Sequence, residues 1–149
     1  MKRRGFTLIE LLVALLITGI LASLAIPSIT IMVRRADAVR VVADMDAIHV
    51  AALDYYAANG SYPASGSAGA VPATLAPSLP RGFAFRYKTV TYRWRRYGLA
   101  SGLPSRPGQT VLEGVEVATS DRKLMASITT ALRGRLAFGG PTSITFVIE

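Results

Sequence analysis

Glu10 is the residue that most needs an explanation. In MKRRGFTLIELLVALL it opens a long stretch, Phe6 to Val33, in which every other residue is apolar, small or hydroxylic. A carboxylate inside a membrane-length apolar run costs about 2.5 to 3.5 kcal/mol on insertion scales. Such a residue predicts a use. Other candidates for chemistry are few. His49 is the only histidine, which excludes a histidine-rich metal site. Asp46 and His49 are three apart at helical spacing, compatible with a shared partner or with a merely solvated or packed pair. Asp44, Asp46 and Asp54 read as surface carboxylates. With no cysteine in the chain, disulfides, cysteine lipidation and thiolate metal sites are excluded. No glycine-rich phosphate loop, metal cluster or nucleophile–base arrangement is visible, so the chain is expected to be no enzyme and to need no cofactor.

The elements around Glu10 set its context. Leu11 to Val33 carries no charge, and at about 1.5 Å per residue it is long enough as a helix to cross a bilayer core of about 30 Å. Beyond it Val41, Met45, Ile48, Ala52 and Tyr55 recur at alternating steps of four and three, one face of a helix. Arg34, Asp37, Arg40 and Asp44 alternate in charge on another face and can pair. Asn59-Gly60 is the expected stop. Phe6 to Asn59 is therefore predicted as one helix of about 80 Å, kinked or locally melted at Pro27, where a backbone donor is missing.

The apolar segment admits three readings. One is a secretory signal, with Ser23-Leu24-Ala25 as a passable cleavage site and Ile26 as the new terminus. Another is a plain single-pass anchor, although Lys2, Arg3 and Arg4 are nearly balanced by Arg34, Arg35 and Arg40, which blurs orientation. Neither gives Glu10 a role. In the third, a basic leader ending in Gly5, then Phe6-Thr7-Leu8-Ile9-Glu10, then an apolar helix, resembles the prepilin signal of type IV pilins and type II secretion pseudopilins. Gly19 and Pro27 fall where that family often carries helix-loosening residues. Asp54-Tyr-Tyr-Ala-Ala-Asn-Gly-Ser-Tyr-Pro63 resembles the way such proteins end the long helix.

The resemblance implies a prepilin peptidase cutting between Gly5 and Phe6 on the cytoplasmic side, followed by N-methylation of Phe6. A residue without Cβ suits close approach of a protease to the backbone. Glu10 would neutralise the new Phe6 amine, in its own chain or a neighbour's, so that two costly charges become one pair and a subunit enters the filament in register. The implied partners are that peptidase, an inner-membrane assembly platform, membrane lipid before assembly, and other pilin or pseudopilin subunits in a helical filament. The implied location is the bacterial inner membrane, single-pass with a cytoplasmic N-terminus, then a periplasmic or extracellular filament.

Past the helix the pattern changes. Ser61 to Gly82 is rich in small residues and proline and reads as an ordered loop with a short helical turn near Thr74 to Leu79. Phe83, Phe85 and Tyr87 alternate with polar or small residues as a strand. Val90, Tyr92 and Trp94 continue with flipped parity, which places a bulge or tight turn at Lys88-Thr89. Gly98 to Gln109 is a loop, and Val111, Val115 and Val117 mark a strand. Ser120 is the expected N-cap of a helix whose apolar face is Leu124, Ile128, Ala131 and Leu132, and which Gly134 ends. Gly139-Gly140-Pro141 is a turn before a last strand through Ile144, Phe146 and Ile148.

The expected fold is α+β. A pilin-like lollipop would carry a long N-terminal helix, half of it membrane-spanning, on a small antiparallel sheet of about four strands with an additional short helix. Its segments are a leader over 1–5, a transmembrane and filament-core helix over 6–33, a helical continuation over 34–60 and a globular head over 61–149.

One stretch points elsewhere. No acidic residue lies between Asp54 and Glu113, while FRYKTVTYRWRRYG interleaves Arg86, Lys88, Arg93, Arg95 and Arg96 with aromatic rings. Arginines for phosphate and rings for stacking are what non-specific nucleic acid binding requires. The competing reading is a sheet with an apolar inner face and a basic outer face paired with acidic neighbours in the filament, because Tyr92 and Trp94 point opposite to Arg93 and Arg95 on a regular strand. The expected function is a structural pilin or pseudopilin subunit of a type IV pilus or type II secretion pseudopilus. The alternatives are a DNA-binding minor pilin of a DNA-uptake system, or a secreted or anchored basic protein with an ordinary signal segment.

Overall fold

The structure, a computed structural model, describes residues 6–98 and 111–148, with the backbone alone at positions 24, 25 and 27. Gly5 of the expected cleavage site, and most of the loop expected over Gly98 to Gln109, lie outside the described residues. Helix α1 runs from Leu8 to Asn59 and is helical at both Gly19 and Pro27. The chain divides within it into two compact units, meeting between Arg34 and Arg35.

The first unit is apolar on every side, so no face is distinguished. Leu8, Leu16, Leu21 and Met32 are all more than half exposed. Its hydroxyls are satisfied locally: Thr18 Oγ1 donates to the Ala14 carbonyl at 2.7 Å and Ser23 Oγ to that of Ile20 at 2.7 Å. Such back-bonding satisfies these two donors within the helix, as a hydrocarbon environment requires. This helix is long and apolar enough to cross a membrane.

The second unit, the head, begins with the amphipathic half of α1. Val41, Met45, Ile48, Ala51 and Ala52 are fully buried, the alanines allowing close approach to the sheet. The helix ends as its sequence predicts: Gly60 adopts φ 68°, and its N–H donates to the Tyr56 carbonyl at 2.8 Å. Tyr56 then stacks on Tyr62 across the turn, with ring centroids 4.7 Å apart.

The sheet has five antiparallel strands, one more than expected: β1 Arg86–Tyr87, β2 Val90–Gly98, β3 Val111–Thr119, β4 Ala137–Gly139 and β5 Ser143–Ile148, in the order β1-β2-β3-β5-β4. The missed strand, β4, is three residues long and has too few positions to show an alternation. The strand expected over Phe83 to Tyr87 shrinks to β1, because Phe83 and Phe85 pack in the core from a turn. The tight turn at Lys88-Thr89 is present, with Lys88 at φ 51°. Tyr92 and Trp94 face Val117 and Val115, which in turn face Ile144 and Phe146, forming the sheet's inner face. Gly114 is required between β2 and β5, since a Cβ there would lie 2.5 Å from the Phe146 carbonyl oxygen.

Helix α2, Arg122–Ala131, closes the core with Leu124, Met125 and Ile128, and Leu132 follows. Its N-cap is Asp121 rather than Ser120. The Asp121 carboxylate accepts from the N–H groups of Lys123 and Leu124, and a charged acceptor at a helix's positive end is the stronger cap. The loop from Ser61 to Gly82, with a 3-10 turn at Ala76–Ser78, shields the edge of β2 that short β1 leaves open. Gly66 and Gly69 donate to the Trp94 and Tyr92 carbonyls at 3.0 and 2.9 Å, and Arg96 N–H donates to Ser65 Oγ at 2.9 Å.

Candidate functional site: the helix start and the basic strand pair

At the start of α1, Glu10 has a partner that the sequence reading missed. Its carboxylate accepts from Thr7 N–H at 2.9 Å and from Thr7 Oγ1 at 2.6 Å, while Glu10 N–H donates back to Thr7 Oγ1 at 3.3 Å. This is a reciprocal capping box, and it explains why α1 begins at Leu8. The signal was present in the sequence: threonine followed three residues later by glutamate, just before an apolar run. The box holds the carboxylate beside the Phe6–Thr7 end of the chain, where a terminal amine would stand if the chain began at Phe6. Phe6 itself is 83% exposed.

The basic strand pair is rearranged by its neighbours. Lys88 Nζ bridges both carboxylate oxygens of Asp37 on α1, at 2.7 and 2.8 Å. That contact lowers the Asp37 carboxyl below the usual range, with Tyr87 Oη donating to it as well, and raises Lys88. Asp37 therefore pairs across the head, and of the alternating charges on α1 Arg40 and Asp44 pair with each other, at 3.0 Å. Arg93 Nη1 and Arg95 Nε each lie 3.7 Å from Glu116 Oε2, and Arg96 Nε lies 3.4 Å from Glu113 Oε1. Carboxylates absent from β1 and β2 are supplied by β3, with Glu116 opposite Arg93 and Glu113 opposite Arg96 in register. Arg86, the remaining member of the patch, is exposed and its guanidinium covers Gly69 of the edge loop.

The rings of the stretch are engaged as well. Tyr92 and Trp94 are fully buried, as strand parity predicts. Trp94 Nε1 donates to the Pro63 carbonyl at 2.9 Å, and Tyr92 Oη donates to Asp44 at 2.9 Å. Burial pushes the Tyr92 phenol far up, with Asp44 adding to the shift. Asp44 is thus a buried carboxylate, correcting its reading as a surface group: only 7% of it is exposed, and Tyr92 and Arg40 satisfy it. Tyr97 has Arg95 over its face at 5.0 Å, Phe138 at its edge at 5.6 Å and Thr145 on its hydroxyl at 3.0 Å.

Asp46 and His49 have different partners that meet each other, Arg135 and Phe146. Arg135, just after α2, forms a two-pronged ion pair with Asp46 and lies over the Phe146 ring at 5.4 Å, while His49 meets the same ring edge-on at 5.7 Å. Burial lowers the His49 imidazole below its ordinary value. Among the described residues no group of three or more acidic, histidine or cysteine side chains is placed to hold a metal.

A membrane-length helix that opens on the Thr7–Glu10 box and continues into a small α+β head is consistent with the type IV pilin and type II secretion pseudopilin superfamily, which this chain resembles. The family model for the prokaryotic N-terminal methylation motif matches residues 1–26. Curated relatives carry the likeness into the head. Type II secretion system core protein G of Escherichia coli (strain K12) is 38% identical over 79 residues, 53% of this chain and 54% of that protein. The core protein G of Klebsiella pneumoniae is 40% identical over 62 residues, 42% of this chain and 44% of its own length. That of Dickeya chrysanthemi is 33% identical over 84 residues, 55% of each chain. The chain thus spans about half the length of the curated relatives it matches. No solved structure matches it.

Proposed function

We propose that this chain is a structural, non-enzymatic pseudopilin of a type II secretion system. It is made with a leader that a prepilin peptidase removes between Gly5 and Phe6, and Phe6 is then N-methylated. The subunit waits in the inner membrane through the first part of α1, with its N-terminus cytoplasmic. An assembly platform then draws it into a periplasmic filament, in which the apolar helices exchange lipid for one another. Gly19 and Pro27 loosen the helix during that transfer. Phe6 and Glu10 form the charge pair that sets register.

The observation that carries this reading is the series of exposed apolar side chains among the described residues of α1 behind a single carboxylate already held at the helix start. A surface of that kind is stable only in hydrocarbon or against other helices. The likeness to core protein G favours the secretion pseudopilus over a type IV pilus. A DNA-binding minor pilin is the weaker reading, because the rings of the basic strands are packed and most of their cations face carboxylates of the same subunit.

Mass spectrometry of the mature N-terminus, from membranes and from sheared filaments, tests the proposal. N-methylated Phe6 is the expected result. A terminus at Ile26 would mean a secreted protein and an intact Met1 a simple anchored one; either overturns the reading. Glu10→Val should leave cleavage intact and prevent filament incorporation, and normal incorporation would remove the role assigned to Glu10.

A further inference from the structure

Positive and negative charge are used very differently in the head. Each carboxylate from Asp37 to Asp121 is engaged within the subunit: Asp37 by Lys88, Asp44 by Arg40 and Tyr92, Asp46 by Arg135, Asp54 by Ser78, Glu113 by Arg96, Glu116 by Arg93 and Arg95, and Asp121 by the first turn of α2. Arg122, Lys123 and Arg133, by contrast, are exposed and have no carboxylate partner among the described residues.

The placement of Arg122 and Lys123 is unfavourable for the subunit alone. α2 contains no acidic residue, and Arg122 and Lys123 occupy its first turn, where the helix dipole disfavours cations. Residues one turn away offer no relief: Ala126 and Ser127 follow the first pair, and Thr129 and Thr130 precede Arg133. The outer face of α2 therefore presents Arg122 and Lys123 beside the small side chains of Ala126 and Ser127, and Arg133 follows just beyond the end of the helix.

The chain leaving α2 then forms one wall of an open groove of about 650 Å³, with Asp46, His49 and Leu53 of α1 and Phe146 of β5. Leu136 on that wall is 58% exposed and Leu53 opposite is 39% exposed, two apolar side chains with room between them. Arg135 and Asp46 neutralise each other at the groove, so its unpaired charge is the neighbouring Arg133.

We propose that the outer face of α2 and the adjoining groove dock an acidic segment of a different protein. An apolar side chain of that segment seats against Leu53 and Leu136, and its carboxylates meet Arg133, Arg122 and Lys123. Charge complementarity selects this occupant. A second copy has no disengaged carboxylate to offer from its described head, and α2 against α2 would bring like charges together. Nucleic acid would gain the cations but waste the apolar walls, and the rings at the groove, His49 and Phe146, are packed against each other. The proposal stands on head residues alone and holds whether or not Phe6 is processed.

The test is photo-crosslinking of the full chain in its own cells, with p-benzoylphenylalanine at Ala126 or at Leu136 and mass spectrometry of the joined peptides. The expected product is an adduct with a different protein, joined through a peptide carrying Asp or Glu. Its yield should fall at least tenfold in Arg122→Glu/Lys123→Glu/Arg133→Glu. It should persist in Arg133→Lys and in Arg86→Glu, a cation outside the face. Trp94 fluorescence checks that each variant is folded, and Arg133→Glu alone replaces the triple variant if that one is not. An adduct with a second copy, an adduct with nucleic acid, an adduct indifferent to charge reversal, or none at either position overturns the proposal.

Discussion

One helix, α1, holds two regions governed by different physics. Up to Val33 its apolar side chains point in every direction, and Leu16 is 64% exposed. From Arg35 on one face of it is buried, with Val41, Met45 and Ile48 fully so. The second region makes its own core from residues of the same chain. The first cannot, because nothing within its unit covers it, and its environment must come from lipid or from other helices. The difference teaches where each half gets its stability, and hence which substitutions affect folding and which affect placement.

The largest separation of the two comes from Trp94→Ala. Removing a fully buried ring that also donates to the Pro63 carbonyl is expected to destabilise the head by about 3 to 5 kcal/mol. Hydrogen exchange at β3 amides should accelerate while the membrane-bound fraction stays constant; loss of membrane binding would show that the regions are not separable. Leu16→Asp is the converse, expected to oppose insertion by about 2.5 to 3.5 kcal/mol. The membrane fraction should drop with no change in the denaturation midpoint read from Trp94, the chain's one tryptophan.

Smaller effects sharpen the picture within the head. Asp121→Ala removes the cap of α2 and should cost about 1 kcal/mol in the same denaturation experiment. Equal stability would mean that Ser120 can take over the cap. The smallest effect is one of pH. Burial holds His49 below its ordinary pKa of 6.5, with Asp46 raising it and Arg135 lowering it. The unfolded chain therefore takes up this proton first as pH falls, so head stability should be level above 6.5 and decline as pH drops from there toward the lower folded value. His49→Gln should flatten that decline; an unchanged slope would assign it to other groups.

Much of this was legible in advance because it depends on local pattern. The apolar run needs only composition to be recognised, the buried face of α1 only a helical period, and Gly60 only its freedom at positive φ. The inward placement of Tyr92 and Trp94 followed from strand parity alone. The capping box of Thr7 and Glu10 was equally local and could have been read from its spacing.

What the sequence determined by itself, then, was everything carried by near neighbours: the membrane-length helix with its one carboxylate, the turns, the alternation of the strands and the α+β class. Only the tertiary structure decided the partners of the charges. Residues far apart in the chain, Asp44 and Tyr92, Asp37 and Lys88, Glu116 and Arg93, Asp46 and Arg135, are brought together by the register of β2 on β3 and by the seating of α1 and α2 in one core. A stretch that looks like a free basic patch in one dimension is thereby largely neutralised in three. A charge's partner is a matter of distance in space, and local sequence does not encode it.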